Sequence, residues 1–130
     1  MEKEAIFKKL RFDSDRKALI INAPQSYLDL LDGIAFDMEG QENTKYEFLQ
    51  VFGYQQDELE KLVKSVDNFR IYDGLFWACY PKGTGKIKSN IKRETVWTAL
   101  ALIGLDTVTQ IAIDETWSAL RARPSEMVGK

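Results

Sequence analysis

The sequence has no histidine and a single cysteine, Cys79, in 130 residues. Without histidine, every His-based nucleophile relay is excluded, and so are the usual zinc ligand sets. One thiol cannot form an internal disulfide, which fits a reducing compartment, so a cytoplasmic protein is expected. No apolar run approaches the roughly 18 residues of a membrane span. The charged start Met1-Glu2-Lys3-Glu4 lacks the apolar region of a signal peptide, so export is not expected. Repeats and low-complexity tracts are missing too. What is there is core-forming: 45% hydrophobic and 12% aromatic residues exclude a disordered chain. The length predicts one domain over residues 1–130, with a helical lead-in over 1–16 and a short tail over 125–130.

The net charge of −2 conceals a polarity. Residues 29–60 hold nine acids and one base, Lys45, whereas residues 82–93 hold five bases and no acid. A general polyanion binder is therefore not expected, but one loop is basic enough to hold an anion.

Hydrophobic spacing sets the order of elements. Ile6, Phe7 and Leu10 predict a short surface helix over 2–12 that covers a sheet edge. Ala18-Leu19-Ile20-Ile21-Asn22 reads as a strand buried on both faces. Ala23-Pro24 breaks it, and a short helix follows over 25–32, with Gly33 as its stop. After a polar loop over 37–45, Tyr46–Phe52 is the second strand. Leu59, Leu62, Val63 and Val66 mark a helix over 55–68. Asp73-Gly74 predicts a turn into a central strand, Leu75–Tyr80, ended by Pro81. Cys79 within it is a buried structural thiol. Beyond a Gly/Lys loop, Ser89 or Asn90 is positioned to cap a helix over 91–103, whose buried face is Val96, Trp97, Leu100, Ala101 and Ile103. Thr107–Asp114 is a β-branched strand. Trp117–Arg123 is a returning strand whose alternating Arg121 and Arg123 suit a sheet edge. The result is an α/β fold, β-α-β-α-β-α-β-β: a three-layer, Rossmann-like, mostly parallel sheet with a C-terminal antiparallel strand.

Certain residues carry a resemblance. From Tyr46 to Arg123, with Asp73-Gly74-Leu75-Phe76-Trp77 at the third strand, the chain resembles the C-terminal half of class I, Rossmann-like methyltransferases. Over most of residues 17–124 it also resembles an uncharacterised bacterial family of short α/β proteins of unknown function. That likeness rests on Asn22-Ala23-Pro24, on Trp77-Ala78-Cys79-Tyr80-Pro81-Lys82 and on Asp114-Glu115-Thr116-Trp117-Ser118-Ala119-Leu120-Arg121. The methyltransferase likeness implies an S-adenosyl cofactor, held by a Gly-rich loop after the first strand and an acid at the end of the second. Here the first strand runs into Asn22-Ala23-Pro24. Proline lacks the N–H such a loop offers, so a scaffold with no cofactor is expected.

In an open α/β sheet, ligands bind at the carboxyl ends of the strands. That edge gathers Asn22, Tyr80, Lys82 and the Asp114–Trp117 turn. Pro81-Lys82-Gly83-Thr84-Gly85-Lys86 lacks the first glycine and final hydroxyl of a Walker A loop, so nucleotide hydrolysis is not expected. Its glycines and lysines, beside a helix starting near Ile91, instead suit a small anion. The candidate ligand-binding residues are Asn22, Tyr80, Lys82, Lys86, Asp114 and Thr116, with no catalytic or metal-binding residue. The local alternative is that Asn22 caps a helix, Lys82 pairs with Asp114 or Glu115, and Trp117 fills core. The functional expectation is a non-catalytic binding or regulatory module for a small anionic ligand or a protein partner, without a membrane and without nucleic acid. A degenerate methyltransferase-like enzyme and a nucleic-acid partner of the 82–93 loop are the alternatives.

Overall fold

A computed structural model describes residues 3–13 and 15–129. Met1, Glu2 and Ser14 of the expected lead-in, and Lys130 of the tail, lie outside the described residues. In chain order the elements are α1 (Lys3–Leu10), β1 (Ala18–Ile21), α2 (Gln25–Leu30), β2 (Tyr46–Phe52), α3 (Gln56–Val66), β3 (Arg70–Pro81), α4 (Arg93–Ala101), β4 (Leu105–Ala112) and β5 (Trp117–Pro124). Short 3-10 turns follow α3 and β5. The five strands form one sheet in the order β1-β2-β3-β5-β4. Strands β1, β2 and β3 pair in parallel, and β5 is antiparallel to both β3 and β4. The sheet is thus mostly parallel, with β4 running the same way as β1 to β3 and β5 opposing them.

Period-two alternation sends side chains to two faces of the sheet. On one face, Leu49, Val51, Phe76, Ala78 and Leu120 meet Leu59, Val63 and Val66 of α3 and Val96, Ala99 and Leu100 of α4. On the other, Phe48, Phe52, Trp77, Cys79 and Ala119 meet Ile6 and Leu10 of α1, Phe12, and Tyr27 and Leu31 around α2. The expected three layers are present.

Four local expectations are corrected. Helix α1 covers a sheet face, not an edge: Ile6 and Leu10 pack there, Phe12 just past the helix meets Phe48 in a tilted ring contact at 4.5 Å, and the Trp77 indole donates to the Leu10 carbonyl at 2.9 Å. Strand β3 begins at Arg70, so Asp73-Gly74 lies inside it, where a bulge shifts the register against β2. Trp97 and Ala101 of α4 are exposed, because the helix turns Val96, Ala99 and Leu100 to the core instead. Strand β5 is interior, flanked by β3 and β4, and β4 is the edge. The alternating arginines of β5 therefore do not protect an edge.

The link from β1 to β2 is the part of the fold that shapes the site most. Helix α2 lies on the Trp77 face. The chain then passes the outer edge of β1, where Asp37 bridges Leu19, donating to the Ala18 carbonyl and accepting from the Ile20 N–H, both at 2.9 Å. It then reaches the α3 face, where a Cβ at Gly40 would fall 2.4 Å from the Phe69 ring. One residue of strand-like pairing thus seals the edge of β1.

Candidate anion cleft

The carboxyl edge of the sheet divides into two parts. Over β1 and β2 it is closed. Asn22, in the left-handed region at φ 65°, donates its amide to the Phe52 carbonyl at 2.8 Å, tying the ends of the two strands together. The Gly53 N–H donates to the Cys79 carbonyl at 3.0 Å. A Cβ at Gly53 would lie 2.7 Å from the Leu59 side chain, so α3 approaches the strand end closely. Beneath, the Tyr27 hydroxyl donates to Gln50 at 2.8 Å, and the Gln50 amide donates to the Cys79 sulfur at 3.3 Å. Gln50 is fully buried, and both of its polar atoms are satisfied. Burial pushes the Tyr27 phenol and the Cys79 thiol far above their ordinary ranges, so both stay neutral.

Over β3, β5 and β4 the edge is open. Chain order jumps from β3 to β4, and β5 fills the gap from the opposite direction, which leaves the ends of β3 and β4 about 10 Å apart. Above the start of β5 this makes a cleft of about 470 Å³, lined by Tyr80, Lys82, Gly83, Thr84, Arg93, Gln110, Ile111, Ala112 and Ser118. Lys82 is held by its backbone, whose N–H donates to the Thr116 carbonyl at 2.8 Å. Arg93 is the first residue of α4, beside that helix's free N–H groups. Tyr80 and Ser118 are 6% and 4% exposed, and their hydroxyls make no hydrogen bond within the described residues. Burial raises the Tyr80 pKa, Glu94 adds to this and Arg93 opposes it, so the phenol keeps its proton and remains a donor. Two cations and two hydroxyls carried by mostly buried side chains thus face one volume whose lining contains no carboxylate.

Of the six residues singled out from sequence, Tyr80 and Lys82 line this cleft. Asn22 stands apart, separated from β3 by β2 and occupied with Phe52. It does not cap α2, which Pro24 precedes. The Asp114 carboxylate accepts the N–H groups of Thr116 and Trp117, both at 2.8 Å, and shapes the β4–β5 turn. Thr116 supplies the carbonyl that anchors Lys82. Lys86 is not among the cleft-lining residues; it follows the turn in which the Gly85 N–H donates to the Lys82 carbonyl at 3.1 Å. No ion pair joins Lys82 to Asp114 or Glu115 among the described residues. Asn90 does not cap α4: its side chain accepts the Gln56 N–H at 2.7 Å and so caps α3, pinning the basic loop to that helix. Helix α4 starts at Arg93, with the Lys92 N–H donating to Thr95 at 2.8 Å.

Arg93, Gln110 and Ser118 were not anticipated as ligand residues. Ser118 carried a faint signal, since it is the one polar residue on the Leu120–Ala122 side of β5. Gln110 carried none, because it becomes a lining residue only once β4 lies beside β5.

The S-adenosyl cofactor implied by the methyltransferase likeness can be tested against the closed half. The residues there do not fit it. Pro24, at φ −70° before the first turn of α2, offers no N–H, and Asn22 and Phe52 satisfy each other. Strand β2 ends in Phe52-Gly53-Tyr54 with no acid, and the nearest useful carboxylate, Glu58, accepts the Tyr54 N–H at 2.6 Å. Asp37 accepts the Tyr46 hydroxyl. Strands β1, β2 and β3 also succeed each other in one direction, so β1 lacks the reversal of strand order at which such folds open a crevice. Among the described residues, no cluster of His, Cys, Asp or Glu is placed to hold a metal ion, and no helix is long and apolar enough to cross a membrane.

No protein-family model and no curated protein matches the chain by sequence. Solved structures match it by shape. It is similar to magnesium protoporphyrin IX methyltransferase (ChlM) from Synechocystis PCC 6803 with bound SAH, at TM-score 0.60 and 10% identity, over 95% of this chain and 83% of that one. It is similar to the mitomycin 7-O-methyltransferase MmcR at TM-score 0.61 and 8% identity, covering 95% of this chain but 54% of MmcR, about half its length. The ribosomal protein L11 methylase from Lactobacillus delbrueckii subsp. bulgaricus matches at TM-score 0.56 and 12% identity, over 94% of this chain and 76% of that one. At such identities the likeness is one of fold: an α/β sheet of the class I methyltransferase type, mostly parallel with an antiparallel strand near its C-terminal edge.

Proposed function

We propose that this chain is a non-catalytic binding module for a small anionic ligand, seated in the cleft between β3, β5 and β4. The observation that carries this reading is the pairing of Lys82 and Arg93 with the unpartnered Tyr80 and Ser118 hydroxyls around one volume. Hydroxyls that open into the cleft and are free of partners within the described residues are available to a ligand that brings acceptors, and two cations favour a charged one. The lining includes no thiol, carboxylate or imidazole to move a proton at neutral pH, which supports binding over catalysis. The acidic 29–60 segment and the single pair of cations argue against a nucleic-acid track.

Calorimetry at low salt tests this with a phosphomonoester against its neutral alcohol. Binding of the phosphorylated member alone is expected, weakened about tenfold by either Lys82→Ala or Arg93→Ala, as befits loss of one charge-assisted contact. Equal responses from both compounds, or from both variants and wild type, would remove the reading. The methyltransferase-like fold keeps a second reading alive, a degenerate enzyme, and S-adenosylhomocysteine in the same calorimeter addresses it.

A further inference from the structure

The interior position of β5 leaves its arginines without the edge-protecting role their alternation suggests. Arg121 lies directly across from Trp77 of β3 on one side and from Thr109 of β4 on the other. The Trp77 indole holds the Leu10 carbonyl, so Arg11, the next residue, is placed beside Trp77 and hence beside Arg121. Arg123 follows two residues along the same face, with its guanidinium on Asp73 through contacts of 3.0 and 2.8 Å. Asp73 is thereby engaged. Arg121 forms no hydrogen bond and no ion pair within the described residues, and its Nε is buried without a partner. Arg11 takes the left-handed conformation, φ 60°, where glycine would be the relaxed choice, and its side chain is exposed with no acceptor.

Two guanidinium groups thus lie within each other's field on a half-buried strand face, and the one carboxylate near Arg121, Asp73, is hydrogen-bonded to Arg123. Burial lowers the Arg121 pKa, the nearby charges of Arg11 and Arg123 lower it further, and Asp73 opposes them, so all four groups share one field. An unpartnered buried N–H is costly, and a forked guanidinium is suited to an oxyanion. One carboxylate, Asp73, thus serves three guanidinium groups, and the cluster carries excess positive charge. We propose that Arg121, Arg11 and the Thr109 hydroxyl form a site for a small doubly charged oxyanion of the phosphate class. It lies on the sheet face opposite the Lys82–Arg93 cleft: Ser118 faces the α4 side, whereas Arg121 shares its face with Ala119 and Trp117. This inference does not depend on the reading of the cleft.

The test uses the full chain with Lys82→Ala and Arg93→Ala installed, so that the cleft does not contribute. The arginine Nε–Hε resonances are followed by NMR during titration with inorganic phosphate, with glycerol phosphate and, at matched ionic strength, with sodium chloride. Saturable shifts of the Arg121 and Arg11 signals are expected with a phosphate-bearing probe and not with chloride. Arg121→Gln should weaken the response about tenfold or more, the loss of a charge-assisted pair of bonds. Arg11→Gly should weaken it similarly while raising the melting temperature, because it relieves the left-handed conformation and one repulsion. If Arg121→Gln fails to fold, Arg11→Gly decides alone. Saturation by inorganic phosphate alone points to the free ion, and saturation by both probes to a phosphomonoester site. Linear shifts that match chloride, or saturation unchanged in Arg11→Gly, would overturn the proposal. Loss of the cleft's calorimetric signal alone leaves these resonances unaffected, so the two sites fail separately.

Discussion

The two halves of the sheet's carboxyl edge share one architecture and differ in how their polar groups are spent. Over β1 and β2, Asn22, Gly53, Tyr27, Gln50 and Cys79 all bond to one another or to neighbouring backbone. Over β3, β5 and β4, the Tyr80 and Ser118 hydroxyls, Lys82 and Arg93 face a cleft of about 470 Å³. A satisfied buried network rigidifies the first half, whereas the polar groups of the second stay open to whatever enters the cleft. The fold's resemblance to methyltransferases therefore points to the half of the edge that is closed, and the open half lies elsewhere. The proposed ligand site therefore rests on the polar groups of the open half and not on the place this fold class habitually uses.

The comparison can be broken at several strengths. The largest effect should come from Trp77→Ala. Trp77 is 1% exposed on β3, which both halves share, and its indole fastens α1. A loss of about 3–5 kcal/mol is expected, read from urea midpoints. A midpoint near wild type would show that the halves do not depend on a common core.

Tyr27→Phe should act on the closed half alone. It removes the donor to a fully buried Gln50 oxygen, which implies about 1–3 kcal/mol of destabilisation. Cleft binding in this variant should stay at the wild-type level by calorimetry, and a parallel loss there would unite the halves. The same network keeps Cys79 buried and its thiol neutral, so a thiol reagent should label it only as fast as the protein unfolds.

A smaller effect is expected of Asp73→Asn, which tests the pair that secures the amino end of β3 to β5. The Arg123 guanidinium holds the Asp73 carboxyl below its ordinary range. The folded pKa is depressed, so the pair's contribution is present above the unfolded carboxylate pKa and is lost as pH falls through the folded value. The difference in melting temperature between wild type and Asp73→Asn should accordingly be modest at neutral pH and vanish in acid. A difference that persists in acid would assign the effect to packing.

The smallest effect expected is none. Restoring glycines, with Ala23→Gly and Pro24→Gly together, should bring no S-adenosylmethionine binding in calorimetry, because Asn22 still occupies Phe52 and no acid stands at the end of β2. Micromolar affinity, about −8 kcal/mol, would show that one loop alone separates this chain from a cofactor-binding sheet.

Much of this was legible residue by residue. The run Ala18–Ile21, the unbroken apolar stretch of β3 and the Leu59–Val63–Val66 stripe each carry their period in the sequence. So do Asn22-Ala23-Pro24 as a departure from a phosphate-type loop and the basic character of residues 82–93. Trp97 is aromatic, which predicts burial, yet α4 turns Val96, Ala99 and Leu100 to the sheet and leaves the ring at the solvent side. Arg121 and Arg123 looked like an exposed edge, because an interior strand open on one face carries the same alternation as an edge strand.

Periodicity, turn chemistry and charge, all set by neighbours within a few positions, determined the elements, their order and the absence of a glycine cradle. They act over one helical turn or one strand pleat, and the chain writes them locally. The insertion of β5 between β3 and β4 was decided only by the tertiary structure. Strand pairing is fixed by long-range burial and register, which no local pattern encodes. That one choice opened the cleft above Ser118, brought Gln110 to it, set Arg93 against Lys82, and placed Arg121 beside Trp77 and Arg11.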